Sequence, residues 1–106
     1  MGQSLGGFGI WHLIWKHPDL FAAAVPLCGG GNSQRVLSAR HVPVWAFHGA
    51  KDATVLASRS REMVDALRTV NPAVRYTEYP DVGHAVWTRA FAEPDLQDWM
   101  FAQRRR

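Results

Sequence analysis

Three short apolar runs with helical segments between them constrain the fold of this 106-residue chain more than any other feature. They lie at residues 22–27, 42–47 and 74–79. The first two are apolar throughout, as in strands covered on both faces, whereas the third alternates and so belongs nearer a sheet edge. Strands that alternate with helices form parallel sheets through right-handed crossovers. The sequence therefore predicts one α/β domain over residues 1–106, with a small parallel sheet of about three strands and flanking helices.

Four helical segments accompany these runs. The first, over residues 6–16, has apolar side chains around most of its circumference, so we expect it to be buried on nearly all sides. It ends before Pro18, which pushes the preceding residue out of the α region. A short helix capped by Asn32 or Ser33 reaches about residue 40. An amphipathic helix follows over residues 56–70, and a last helical stretch near the C-terminus is interrupted by Pro94.

Composition excludes several classes of protein. Apolar residues make up 47% of the chain and charged residues 20%, which is ordinary for a globular domain. The single cysteine, Cys28, cannot form an intrachain disulfide, and neither Cys-x-x-Cys nor His-x-x-x-His occurs, so we expect no metal. The arginines at 104–106 are interpreted as a solvated end and not as a nucleic-acid site. Without a membrane-spanning run or a signal peptide, the chain is expected to be cytoplasmic.

A Gly-x-Ser-x-Gly pattern surrounds Ser4, with further glycines behind it in the run Gly2-Gln3-Ser4-Leu5-Gly6-Gly7. In a nucleophile elbow the serine occupies a sharp turn between a strand and a helix, and neighbouring backbone passes too close for side chains two residues away on either side. The N–H groups at the start of the helix favour negative charge beside the serine. By itself the pattern is also compatible with a simple glycine-rich loop.

An acid and a histidine follow the other strands in a suggestive order. Asp52 comes just after the run that ends at residue 47, and His84 comes just after the run that ends at residue 79. Side chains at the carboxyl ends of parallel strands converge at one edge of a sheet. A serine hydroxyl needs a base to take its proton, and the base needs an orienting acid. Asp81 is a rival acid, although its position close to His84 suits a turn better.

The remaining histidines and the cysteine have simpler interpretations. Structural roles are favoured over catalytic ones for four histidines, His12, His17, His41 and His48. Of these, His48 most needs checking because it ends a predicted strand near the proposed site. Cys28 follows a strand at the same rim and is expected to be a small buried apolar residue, with a reactive thiol as the lesser alternative.

Four motifs in this order resemble the C-terminal half of an α/β-hydrolase. The similarity is greatest to the carboxylesterase, dienelactone-hydrolase and predicted-peptidase group of serine hydrolases. The elbow matches at residues 2–7, the acid loop at His48-Gly49-Ala50-Lys51-Asp52 and the histidine loop at Asp81-Val82-Gly83-His84. Asp95-Leu96-Gln97-Asp98-Trp99 resembles the closing helix of the group. The resemblance covers essentially the whole chain.

The resemblance implies a catalytic triad that cleaves carboxylic esters of small or medium acyl chains, without a cofactor. By this analogy Ser4 is the nucleophile, His84 the general base and then acid, and Asp52 the carboxylate that orients His84. The backbone N–H of Leu5 would donate one hydrogen bond to the oxyanion. Trp87 either lines a substrate pocket or packs against the final helix.

The chain also departs from the group's pattern. It has Thr54-Val55-Leu56 where the group usually carries a Val-Pro pair after the acid. More seriously, we expect the N-terminal half of the fold to be missing, and with it the strand that leads into the elbow and the second oxyanion donor. The expected partners are therefore a small ester substrate and either further copies of the chain or a missing N-terminal half. The alternative function is a non-catalytic α/β association module.

Overall fold

A computed structural model describes residues 2–3, 5–18 and 23–103, with side chains from residue 6 onward. Ser4 and the arginines at 104–106 lie outside the described residues, as does Ala22 at the start of the first predicted run. In the described part, four parallel strands form one sheet in the order β1-β2-β3-β4. Their bounds are Gly2–Gln3 for β1, Pro26–Leu27 for β2, Trp45–Gly49 for β3 and Arg75–Tyr79 for β4.

The three predicted strands are confirmed, and β1 adds a fourth. β1 pairs with β2 through Gly2 opposite Pro26, so a two-residue strand does lead toward the elbow. Pro26 stands at the first position of β2, where a missing N–H group is tolerated. An isolated bridge between Ala24 and Val44 extends the pairing of β2 and β3 toward their N-terminal ends. β4 occupies the other edge of the sheet, as its alternating pattern predicts.

The helices given bounds within the described residues, four α-helices and a 3-10 helix, surround the sheet. The α-helices are α1 at Leu5–Lys16, α2 at Ala57–Arg68, α3 at Trp87–Phe91 and α4 at Leu96–Ala102, and the 3-10 helix is Arg35–Ala39. Pro94 lies in the break between α3 and α4, as predicted. The Asn32 Oδ1 accepts hydrogen bonds from the N–H groups of Gln34 and Arg35, so Asn32 caps the 3-10 helix. Among the described residues, no helix is long and apolar enough to cross a membrane.

The core consists of two clusters on opposite faces of the sheet. Successive side chains of β3 alternate between them: Ala46 belongs to the cluster formed with α1, α2 and the 3-10 helix, whereas Trp45 and Phe47 belong to the cluster formed with α3 and α4. All five residues of β3 are buried. Coverage of both faces explains why this strand is apolar without alternation.

The expectation that α1 is buried on nearly all sides is wrong. Trp11 and Ile14 are fully buried, but His12 is exposed and Leu13 is 41% exposed. The helix packs one stripe against the sheet and the 3-10 helix, and its opposite face is open in the described structure. Its apolar residues exceed what that one contact can cover.

Candidate active site

Asp52 and His84 meet at the carboxyl edge of the sheet. The His84 Nδ1–H donates to the Asp52 Oδ2 over 2.7 Å, although the residues are 32 positions apart in the sequence. The pairing of β3 with β4 sets Gly49 beside Tyr79, so the loops carrying the two side chains leave the sheet next to each other. The Asp52 side chain is fully buried, and that of His84 is 29% exposed. A partly exposed imidazole held by a buried carboxylate is the arrangement of a general base and its orienting acid.

The Asp52 carboxylate is held as an anion. Burial raises the pKa of Asp52, but the hydrogen bond from His84 and those from the backbone N–H groups of Val55 and Thr54 outweigh it, so the pKa lies below its ordinary value. The two backbone N–H groups reach Oδ1 over 2.8 and 2.9 Å. Both oxygens therefore have donors, and the carboxylate cannot rotate away from His84 without breaking bonds.

The rival acid does not take part in this pair. The Asp81 Oδ2 accepts a hydrogen bond from the Arg89 Nη1 over 2.9 Å, and its side chain is 65% exposed. The Arg89 guanidinium holds the pKa of Asp81 below its ordinary value. Asp81 is therefore a surface turn residue, as the sequence favours.

The loop that carries His84 lies directly against the end of β3. A Cβ atom on Gly49 would collide with the carbonyl oxygens of Val82 and Gly83, so no larger residue fits there. The Lys51 N–H donates to the Val82 carbonyl over 3.0 Å, and the Ala50 N–H donates to the Tyr79 carbonyl over 2.9 Å. These contacts fasten the acid loop to the histidine loop.

The helix that follows the elbow is also in close contact with the sheet. A Cβ on Gly7 would collide with the Leu27 carbonyl, whereas a Cβ on Gly9 would meet no described atom within 4 Å. Leu5 is the first residue of α1, and the N–H groups of a first turn have no partner within their own helix, so that of Leu5 is suited to an oxyanion. Ser4 itself lies outside the described residues, and its role as the nucleophile stays a prediction.

Cys28 lies closer to Asp52 and His84 than the sequence indicates. Its side chain is fully buried, as predicted, and its Sγ donates a hydrogen bond to the His84 carbonyl over 3.5 Å. Its φ of 44° is in the left-handed region, which non-glycine residues seldom adopt. Ligand atoms of Cys28, Asp52 and His84 all lie within 4.8 Å of one another. This donor set could hold a soft metal ion, but the bond between Asp52 and His84 favours proton transfer.

The other residues singled out in the sequence have surroundings that differ from one to the next. Trp87 begins α3 and is 40% exposed, and it belongs to neither core cluster. His12 contacts the edge of Trp15, and the His41 Nε2 accepts a hydrogen bond from Arg40. His48, in contrast, is fully buried, and its Nε2 lies 3.3 Å from the Asp52 Oδ2. The spacing of four residues between His48 and Asp52 is the only sequence signal for that contact.

A parallel sheet covered on both faces, with an acid and a histidine at the carboxyl ends of neighbouring strands, defines an α/β-hydrolase. The family model described as "Dienelactone hydrolase family" matches residues 1–97. The chain therefore belongs to the dienelactone hydrolase family, which confirms the resemblance seen in the sequence motifs.

Solved structures agree with this assignment. A thermostable esterase superposes with a TM-score of 0.89 at 35% identity, covering 96% of this chain and 29% of the esterase. A candidate dienelactone hydrolase from Klebsiella pneumoniae gives a TM-score of 0.63 at 27% identity, covering 92% of this chain and 45% of its own.

An esterase domain from Rhodothermus marinus shares the fold, with a TM-score of 0.74 at 14% identity, covering 96% of this chain and 58% of the domain. The chain thus spans well under two thirds of each of these three proteins. No curated protein sequence matches it significantly.

Proposed function

We propose that the chain carries the catalytic triad of a serine hydrolase that cleaves carboxylic esters through an acyl-enzyme. The hydrogen bond of 2.7 Å between Asp52 and His84 is the observation that carries this proposal. It fixes the tautomer of His84, because Nδ1 carries the donated hydrogen and Nε2 is left as the basic nitrogen. The family and the esterase neighbour support hydrolysis of an ester.

The proposed reaction has two halves. In the first, the Ser4 Oγ attacks the ester carbonyl, His84 takes the hydroxyl proton, and the Leu5 N–H supports the oxyanion. His84 then gives that proton to the leaving alkoxide, so that an alcohol departs and the acyl group remains on Ser4. In the second half, water attacks the acyl carbonyl while His84 takes a proton from it. His84 returns that proton to the Ser4 Oγ as the bond between Ser4 and the acyl group breaks, and the carboxylic acid departs. Asp52 stabilises the imidazolium in both halves.

The proposed substrates are esters with small or medium acyl chains, with Trp87 as a candidate pocket residue. Trp87 follows His84 closely in the sequence and is 40% exposed, so its ring is available to line an acyl or alcohol pocket. Trp87→Ala should then change the preference between acetate and butyrate esters, with Phe101→Ala as the control because Phe101 is an exposed aromatic residue on α4. Equal preference in the two variants would remove Trp87 from the pocket.

The test of catalysis is the hydrolysis of short p-nitrophenyl esters by the purified chain and by Ser4→Ala. We expect a burst of p-nitrophenol followed by slower turnover, and we expect both to disappear in the Ser4 variant. Equal rates in the two proteins would reject the triad. A serine-directed fluorophosphonate probe gives a second readout, since it should label the parent chain and not Ser4→Ala.

A second candidate function is a non-catalytic association module derived from a hydrolase. Exposed apolar side chains on the described surface favour it, notably Leu56 at 62%, Phe91 at 62% and Phe101 at 85%. This function predicts assembly without Ser4-dependent turnover. The esterase assay therefore separates the two candidates, provided that the assembly state is measured on the same preparation.

A further inference from the structure

His48 is a fully buried histidine whose two ring nitrogens both have partners. It lies in β3, opposite Glu78 of β4. Its Nδ1 is 2.7 Å from the Ser60 Oγ on α2, and its Nε2 is 2.7 Å from the Val55 carbonyl oxygen. The same Nε2 lies 3.3 Å from the Asp52 Oδ2. The imidazole thus connects a helix behind the sheet with the loop that holds the catalytic acid.

The partners of His48 determine where one of its hydrogens is. A backbone carbonyl can only accept a hydrogen bond, so the Nε2 of His48 must carry a hydrogen to bond Val55 at 2.7 Å. The same nitrogen lies 3.3 Å from the Asp52 Oδ2, which accepts its hydrogen bond from His84. The hydrogen bond of His48 in the acid loop is therefore the one to the Val55 carbonyl, and the Asp52 carboxylate is its close neighbour.

The far side of His48 is anchored as well. The Ser60 Oγ lies 3.1 Å from the Gly29 carbonyl oxygen, in the turn after β2. Gly29 in turn packs against α1, since a Cβ there would collide with the backbone of Gly7 and Phe8. A chain of buried contacts therefore runs from α1, through Gly29, Ser60 and His48, to Asp52. Buried polar networks of this kind hold their members in one arrangement when every group has a partner.

We infer that His48 is a positioning residue for the triad: its Nε2–H holds the Val55 carbonyl, and the Val55 N–H in turn holds the Asp52 carboxylate in alignment with His84. Val55 is held from both sides, because its N–H donates to the Asp52 Oδ1 while its carbonyl accepts from His48. The acid loop is thereby closed around the carboxylate. His48 touches neither substrate nor Ser4 in this scheme, and it acts only through Asp52.

This inference rests on the proposed function, and it is tested by comparing two substitutions of His48. In His48→Gln the side-chain amide reaches approximately to where the Nε2–H stood, so a donor to the Val55 carbonyl is kept. In His48→Asn the amide ends near the position of Nδ1, so the bond to Ser60 is kept and the donor to the acid loop is lost. Both variants leave a polar group in the same buried place, which makes them a matched pair.

Kinetics give the first readout. We expect His48→Asn to lower kcat for p-nitrophenyl acetate on the order of 10- to 100-fold, because small displacements of a catalytic group cost about that much. KM should change little, since His48 does not contact the ester. His48→Gln should recover most of kcat. In an Asp52→Asn background, exchanging His48 for Asn should cost much less than in the parent chain.

Proton NMR gives a readout that needs no turnover. The hydrogen that His84 donates to Asp52 should resonate far downfield of the amides in the parent chain, in Ser4→Ala and in His48→Gln. In His48→Asn it should shift upfield or broaden by exchange with water. If Ser4→Ala shows no loss of activity but the resonance still follows His48, the proposed function fails while the positioning role stands.

Folding is checked by the same spectra and by thermal unfolding. Should both His48 variants fail to fold, Ser60→Ala decides: it removes the hydrogen bonds of the Ser60 Oγ to His48 and Gly29 but keeps the imidazole beside Val55, so it should shift the His84 resonance in the same direction by a smaller amount. An unchanged resonance in folded His48→Asn, or equal resonance and kcat in His48→Asn and His48→Gln, would overturn the inference. An unchanged resonance in folded Ser60→Ala would do so where the His48 variants do not fold.

Discussion

The Nδ1 of His84 lies 2.7 Å from the Oδ2 of Asp52, and the sheet alone accounts for most of that proximity. β3 and β4 run parallel and in register, so their final residues, Gly49 and Tyr79, lie side by side. Each strand is followed by a tight loop, and the two loops share backbone hydrogen bonds. The pair therefore depends on strand register, on the loop at Gly49 and on the donors around the carboxylate. Each of these dependencies can be tested separately.

Asp52→Asn should reduce esterase activity by about 10³- to 10⁴-fold while the chain stays folded. An amide cannot stabilise the imidazolium, and it can turn its NH₂ group toward His84 and so disfavour the catalytic tautomer. The measurement is kcat/KM for p-nitrophenyl acetate at neutral pH. A reduction of less than about 10-fold would mean that Asp52 is not the orienting acid.

Asp81→Asn is the matched control for that substitution. It removes a carboxylate from the loop that carries His84, but one whose only role in the described structure is an exposed ion pair with Arg89. Exposed pairs contribute little to stability, so activity should stay within about 3-fold of the parent chain. If Asp81→Asn abolished turnover and Asp52→Asn did not, the two aspartates would have been assigned the wrong way round.

Acid should destabilise the parent chain more than Asp52→Asn. The pKa of Asp52 in the folded chain lies below its ordinary value of 3.8. As the pH falls past that value, Asp52 becomes protonated in the unfolded chain while it is still ionised in the folded chain. The stabilisation is therefore complete above about pH 5 and is lost progressively as the pH falls through the folded pKa. Urea unfolding at neutral pH and at about pH 3 measures it.

Glu78 and Asp81 also have lowered pKa values, but both variants of that comparison retain them. The difference between the two proteins in how the free energy of unfolding depends on pH therefore reports on Asp52. Parallel curves for the parent chain and Asp52→Asn would contradict the assignment of an ionised, hydrogen-bonded Asp52.

Periodicity and order were enough to predict β2, β3, β4 and the approach of Asp52 to His84, but not β1, since the strand leading into the elbow was expected to be missing. The apolar runs ending at residues 27, 47 and 79 give β2, β3 and β4 because the alternation of strand and helix permits few other arrangements. Once the strands are parallel, Asp52 and His84 must emerge at the same edge. The choice of Asp52 over Asp81 also followed from the sequence, since a residue so close to His84 suits a turn.

The parts that sequence reasoning missed depend on side-chain packing. Nothing in the pattern around Cys28 predicts its left-handed backbone or the contact of its Sγ with the His84 carbonyl. The connection from His48 to Ser60 joins a strand to a helix, and no short motif spans it. The exposed face of α1 was missed because apolar residues predict burial only where another element is available to cover them.

Association is a further expected property, and its reason lies at the surface. Phe91 and Phe101 flank an apolar cavity of about 340 Å³ that Leu96 and Met100 also line. Exposed aromatic groups around such a cavity favour contact with another chain. Sedimentation equilibrium should give a mass above the 11.9 kDa of one chain. Phe101→Glu should lower that mass, with Leu13→Glu on the exposed face of α1 as the control.

Phe101→Glu and Leu13→Glu should both leave the chain folded, since each replaces an exposed side chain. The sedimentation masses can therefore be compared directly. A parent chain that sediments as a stable monomer would contradict association. If Leu13→Glu lowered the mass and Phe101→Glu did not, the contact would lie on α1 and not at the cavity.

Gly49→Ala should destabilise the fold and the site together. The added methyl group would meet the carbonyl oxygens of Val82 and Gly83, which are backbone atoms and cannot rotate aside. Forcing a methyl group into such a contact costs about 1–3 kcal/mol, so the free energy of unfolding should fall by that amount. The loop that carries His84 must shift to accommodate it, so kcat should fall as well. Chemical denaturation and the esterase assay measure the two effects on one preparation.

Gly9→Ala is the matched control, because the same methyl group is added where it meets no described atom within 4 Å. Gly9 lies inside α1, where alanine restricts the unfolded chain more than glycine does, so this variant should gain about 0.5–1 kcal/mol of stability. Its kcat should equal that of the parent chain. A similar loss of stability in both variants would show that the contact between Gly49 and the histidine loop does not constrain the site. A loss of stability in Gly49→Ala together with a gain in Gly9→Ala would locate the constraint where β3 ends.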